Sequence, residues 1–121
     1  MSERKKKPVG VLLANSPFES YKFQERLRMA VGLTLGKNSV RVFFSGDGVF
    51  SLLKSDPQKF GMPPMAKHIE TLAMLKCPIF VLEESLSQRD IAREAIAHPI
   101  KALPQDFFYR ELSACEVLIC G

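Results

Sequence analysis

Residues 8–36 read PVGVLLANSPFESYKFQERLRMAVGLTLG, and this stretch holds a strand followed by a helix. Pro8 to Ala14 is a short unbroken apolar run, the pattern of a strand buried on both faces of a parallel sheet. Ser16 as N-cap, Pro17 at the first helical position and Glu19 at the third form a capping box with the favoured proline. Phe23, Leu27, Ala30, Val31 and Thr34 then recur at helical spacing, and Gly36 closes the helix.

The same alternation continues outward from this unit. Asn38 to Phe44 is rich in β-branched and aromatic residues and reads as a second strand. It runs into the tight turn Ser45-Gly46-Asp47-Gly48 and a short helix through Lys54. Pro57, Gly61, Pro63 and Pro64 break Ser55 to Pro64 into a loop. Met65, Ile69, Leu72 and Ala73 mark an amphipathic helix that ends near Lys76, and Cys77 to Glu83 is a third strand. Ser87 to Asp90 is read as a second capping box, opening a helix with Ile91, Ala95 and Ile96 inward and closing at His98-Pro99. Ile100 to Leu103, Pro104 to Ala114 and Glu116 to Cys120 complete the series as strand, helix and strand. The reading is a single three-layer α/β/α domain, residues 8–121, with a five-stranded parallel sheet and right-handed crossovers.

Composition narrows the class. The chain has 121 residues, 46% hydrophobic and 25% charged, which fits one folded domain and excludes disordered or fibrous chains. Of the net charge of +4, residues 1–7 carry +3, from four cations and one anion, while the other 114 residues hold 13 cations and 12 anions. The basicity is therefore a seven-residue arm on a nearly neutral body, and no zinc-finger spacing or basic recognition helix points to nucleic acid. No apolar run is long enough for a membrane helix, and MSERKKKPVGVLLAN lacks the long apolar core of a secretory signal, so a cytoplasmic protein is expected. Cys77, Cys115 and Cys120 form no CxxC pair, and His68 and His98 stand apart, so neither a disulfide framework nor a metal site is expected. No cofactor motif is present: GxGxxG and GxxxxGK[ST] are both missing from the sequence.

Ligands of an open parallel sheet meet the carboxyl edge of the strands. That rule selects Asn15 and Ser16 after the first strand, Asp47 after the second, and Glu83, Glu84 and Ser85 after the third. Arg89 follows one helical turn on and is placed to balance one of the two glutamates. Asp47 reads equally as a helix N-cap. Cys120 is the thiol that the order of elements puts on this edge, while Cys77 falls on the opposite one. The many aromatics (Phe43, Phe44, Phe50, Phe60, Phe107, Phe108, Tyr109) either pack internally or mark subunit contacts.

Four stretches, GVLLANSPFES (10–20), RMAVGLTLGK (28–37), VRVFFSGDGVFSLL (40–53) and FVLEESLSQRDI (80–91), resemble the DsrE/DsrF-like family of sulfur-relay proteins, which includes the TusB, TusC and TusD subunits. The resemblance implies a small α/β protomer that assembles into trimers or hexamers, often with related subunits or a sulfur-carrier protein. It also implies a persulfide on one cysteine in the loop after strand three. Setting Arg89-Asp90 on the family's Arg-Gly pair puts that position near Leu82, where no cysteine stands; Asp90 also replaces the glycine. TusC-like and DsrF-like subunits are similar in being non-catalytic. The expectation is an accessory or structural subunit; the alternatives are a sulfurtransferase acting through Cys120, or a flavodoxin-like small-ligand module using the Asn15 and Asp47 loops.

Overall fold

The computed structural model of the chain describes residues 8–14, 21–36, 39–52, 65–96 and 98–120. Five strands, β1 (Val9–Leu13), β2 (Val40–Phe44), β3 (Ile79–Leu82), β4 (Lys101–Leu103) and β5 (Val117–Cys120), alternate with four α-helices. The helices are α1 (Tyr21–Leu35), α2 (Met65–Met74), α3 (Glu83–Gln88) and α4 (Gln105–Ser113). All strand pairs are parallel, in the order β4-β3-β2-β1-β5. The five-stranded parallel sheet read from the sequence is therefore present. No described helix is long and apolar enough to cross a membrane.

The order of strands decides where the helices lie. β1 to β4 step across the sheet in one direction, so right-handed crossovers place their connections on one face. On that face Val11, Leu13, Val42, Phe44 and Val81 pack with Leu27 and Ala30 of α1, Ile69 and Leu72 of α2, and Leu86 of α3. The β4–β5 connection runs the other way and carries α4 to the opposite face. There Phe108 meets Phe43 edge-on at 5.5 Å, and Phe43 stacks on Phe80 at 5.3 Å. Among the described residues, α4 is the one α-helix on this second face.

The connection after β3 differs from the sequence reading. Ser87 to Asp90 does not open a helix; it ends one, because α3 spans Glu83–Gln88, and only a 3₁₀ turn, Arg93–Ala95, follows. Two carboxylates in the first turn favour a start at Glu83 through the helix dipole. The end is a left-handed residue, Asp90 at φ 52°, with Asp90 N–H donating to Ser87 O and Ile91 N–H to Leu86 O. This is the pairing that usually ends on glycine. Asp90, which the resemblance sets on a glycine of the family, thus adopts a left-handed conformation of the kind that glycine favours. α2 ends the same way at Lys76, φ 61°, with Cys77 N–H donating to Leu72 O.

Candidate functional site at the carboxyl edge

β2 ends against β1, and two glycines make the join possible. Ser45 N–H donates to Leu13 O, and Gly48 N–H donates to Ser45 O in the 3₁₀ turn Gly46–Leu52. A Cβ on Gly48 would stand 2.0 Å from Leu13 O, so the backbones approach closer than any side chain allows. Gly46 turns the chain at φ +53°. The second helix of the sequence reading, through Lys54, is a 3₁₀ turn as far as it is described. Asp47 lies in its first turn rather than at an N-cap.

The turn is tied to α3 by three residues. Gly46 N–H donates to Ser85 Oγ at 2.9 Å, and Ser85 is 3% exposed. Arg89 donates from Nε and Nη2 to Asp47 Oδ1 at 3.1 and 3.0 Å, and from Nη1 to Ser85 O at 3.2 Å. Arg89 therefore balances Asp47, not Glu83 or Glu84, because both glutamates start the helix that Arg89 ends. The arrangement is a brace between the turn and α3: the guanidinium holds the Asp47 carboxylate and the Ser85 carbonyl, and the Ser85 hydroxyl holds the Gly46 N–H. A solvent-exposed pair of this kind contributes little to stability but fixes geometry.

Glu83 and Glu84 are not paired for acid–base chemistry. Glu83 is exposed, while Glu84 Oε2 accepts the Gln105 N–H at 3.1 Å. α4 begins after Pro104, which offers no side-chain cap, so Glu84 supplies the missing acceptor from across the gap. Its second oxygen, Oε1, is buried and has no hydrogen-bond partner among the described residues. The Pro104-Gln105 loop is a member of the carboxyl-edge cluster that the sequence reading missed. Its signal was a helix start with no Ser, Thr, Asp or Asn to cap it. Leu82, the position implied for the family cysteine, is the residue before α3 and packs with the Phe43, Phe80 and Phe108 cluster.

The three thiols are separated. Cys120 ends β5, paired with Leu12, and is exposed, and its carbonyl accepts from Arg26 Nε at 3.2 Å. β1 lies between β5 and β2, so about 10 Å of sheet separates Cys120 from the Asp47 turn. Cys115 is half-buried at the opposite edge, where burial raises its thiol pKa. Cys77 is buried there too, its Sγ donating to Val40 O at 3.1 Å. Burial pushes the Cys77 thiol up to about 11 from 9.0, partly offset by Thr34. Asn15 and Ser16 lie outside the described residues.

The Cys77 environment gives a pH prediction. Between pH 9 and 11 the unfolded chain has lost a proton that the folded chain keeps, so stability falls as pH rises through that window. The loss from this thiol is about 2 kcal/mol by pH 11. Urea unfolding of wild type and Cys77→Ala at pH 8, 9.5 and 11 measures it. The gap between the two proteins should narrow with pH; a constant gap contradicts it.

The fold and the edge cluster define a class: a small α/β protein with an all-parallel five-stranded sheet, helices on both faces, and its loop chemistry at the carboxyl edge. The chain belongs to the DsrE/DsrF-like family, whose pattern matches residues 7–108. It is 23% identical over 113 residues to the protein TusC homolog of Aliivibrio fischeri, covering 92% of this chain and 96% of that one. Among solved structures it is similar to the ychN protein of E. coli, with a TM-score of 0.81, 14% identity, and 95% and 99% of the two chains covered. It is also similar to a conserved protein of unknown function from Bacteroides thetaiotaomicron, with a TM-score of 0.74, 11% identity and both chains covered in full. At these identities the solved structures establish the fold.

Proposed function

We propose that this protein is an accessory or structural subunit of a cytoplasmic sulfur relay, working in an oligomer of its own copies or of related subunits. The observation that carries the reading is the end of β3. Leu82 to Ser85 holds no cysteine, and three polar groups around it serve the fold: Ser85 Oγ with Gly46, Glu84 Oε2 with the start of α4, and Arg89 with Asp47. A persulfide carrier needs a thiolate at its transfer point, and this loop offers none. Membership of the DsrE/DsrF-like family and likeness to a TusC homolog support the relay context. In this reading residues 8–121 form the working domain and residues 1–7 a solvated basic arm.

A second reading rests on Cys120, which is exposed at the carboxyl edge. There a donor persulfide would pass its outer sulfur to the Cys120 thiolate and leave as a thiolate itself. One experiment separates the two. The protein is incubated with a cysteine desulfurase and L-cysteine, and its intact mass is read before and after reduction. The accessory reading expects no reducible gain of one sulfur atom. A gain that Cys120→Ser abolishes establishes the carrier instead. Native mass spectrometry of freshly purified protein addresses the ligand-module alternative, because a co-purifying small molecule would favour it.

A further inference from the structure

The last turns of α1 and α2 depart from the usual chemistry of helix ends. Cations are favoured there, against the negative end of the helix dipole, yet neither last turn holds one. Apolar side chains stand in their place and face water. Leu35 is 63% exposed at the end of α1, and Met74 is 82% exposed at the end of α2, with Leu75 after it at 37%. Leu27, Ala30, Ile69 and Leu72 already fill the core side of the two helices, so these three side chains add nothing to the core.

The topology brings both helix ends to one place. α1 and α2 each run back along parallel strands, pack on each other, and end at the amino edge of the sheet. The Cys77 thiol meets both Val40 O, at the start of β2, and the Thr34 side chain, so the last turn of α1 lies against the residue that follows α2. The basic arm roots at the same edge. Val9 N–H donates to Ser39 O, just beyond the end of α1, and the chain ahead of Pro8 reads Arg4-Lys5-Lys6-Lys7. Four extended residues span about 14 Å, more than the ~9 Å between packed helix axes. Lys76, exposed, follows Met74 and Leu75 directly. The anions beside these groups are Glu3 in the arm, Glu116 at its root and Glu70 one turn back from Met74.

We infer that this end of the molecule, with Leu35, Met74 and Leu75 at its centre and the basic arm beside them, docks on an anionic membrane surface. The inference stands apart from the relay reading above and gives the arm, solvated in the free protein, a place to act. Two observations select a lipid surface over other polyanions. The apolar side chains sit on two helices that end side by side and face the same way, so one flat surface meets them together. They also stand among cations, and that mixture suits the boundary between headgroups and acyl chains, whereas a nucleic-acid backbone offers leucine and methionine no burial. Each arm cation held near an anionic leaflet strengthens binding about fivefold, while the apolar tips supply affinity that salt does not screen. The ends of α1 and α2 turn their partial negative charge toward the membrane, which the arm has to outweigh. The described loops of the opposite edge carry Asp47, Glu83, Glu84 and Asp106 against Arg89, so that edge points away.

Flotation of the full chain with vesicles tests this, using phosphatidylcholine alone and phosphatidylcholine with about 30 mol % phosphatidylglycerol. Binding is expected on the anionic vesicles only, and it should fall about tenfold or more between ~0.1 and ~0.5 M salt. Changing Arg4, Lys5, Lys6 and Lys7 together to glutamine is expected to weaken binding by about a hundredfold. The double variant Leu35→Gln/Met74→Gln should weaken it by about tenfold, while Leu35→Met/Met74→Leu, which keeps the tips apolar, should bind like wild type. Both residues are exposed, so these variants keep the fold, as circular dichroism checks. No binding to the anionic vesicles overturns the inference, and so does equal binding to both kinds. Binding that the arm governs but Leu35→Gln/Met74→Gln leaves unchanged also overturns it, and displacement by polyuridylate in that case assigns the arm to nucleic acid. Sulfur uptake is read separately by mass, so either the relay reading or the membrane surface can fall while the other stands.

Discussion

Replacing Gly48 by alanine is expected to destabilise the protein by about 3 kcal/mol or more, a large part of the total stability of a domain this size. The cause is space. The added Cβ would sit 2.0 Å from Leu13 O and 2.8 Å from the Leu13 carbonyl carbon, and both are backbone atoms of a central strand. A side chain tip could rotate away, but β1 is held between β2 and β5 and cannot yield without breaking its pairing. The relief route is loss of the 3₁₀ turn, and with it the Gly46–Ser85 bond and the Asp47–Arg89 pair. Gly32 is the internal control. A Cβ there meets nothing within 4 Å, and α1 would gain helix propensity, so Gly32→Ala should be neutral or stabilising by up to about 1 kcal/mol. Thermal unfolding of the two variants beside wild type decides this. Equal melting temperatures for Gly48→Ala and wild type would refute the close-approach account.

Phe108→Ala is expected to cost about 3 to 5 kcal/mol, as full truncation of a buried aromatic does. Phe108 is 1% exposed and anchors α4 on the aromatic pair Phe43 and Phe80. The first face of the sheet has three α-helices to share its burial, whereas the second depends on this contact among the described residues. Removing the ring therefore leaves a cavity and frees the helix whose start Glu84 caps. Phe107, its neighbour in sequence, is 51% exposed, and Phe107→Ala should change stability by less than about 1 kcal/mol. The chain has no tryptophan, so urea unfolding is best followed by circular dichroism. Similar costs for the two truncations would show that α4 is not anchored through Phe108.

The aromatic residues illustrate how far the sequence carries. Their abundance left open whether they fill the core or line a contact, and the structure divides them: Phe43, Phe44 and Phe108 are buried, while Phe107 and Tyr109 are exposed. Adjacent residues on one helix point about 100° apart, so composition alone cannot make that division. The carboxyl-edge cluster was legible in part. Asp47, Ser85 and Arg89 were read as neighbours of one crevice, and they do meet. The sequence pattern starts α3 at Ser87 and so sets Arg89 beside the glutamates, whereas the structure pairs it with Asp47. Ser-x-x-Asp is a helix-start signal, but here Asp90 is the left-handed stop, and only the hydrogen bonds back to Leu86 and Ser87 reveal it.

By itself, the sequence determined the parallel five-stranded fold, the family resemblance and the absence of a thiol between Leu82 and Ser85. Each of these depends on local pattern: apolar runs of strand length, helical periodicity, and residue type at a position. Tertiary structure alone decided that Arg89 serves Asp47, that Glu84 caps a helix 21 residues away in sequence, and that β5 lies beside β1. These depend on strand order, which places segments distant in sequence side by side. No local pattern encodes that order, because it is set by which faces must be buried together.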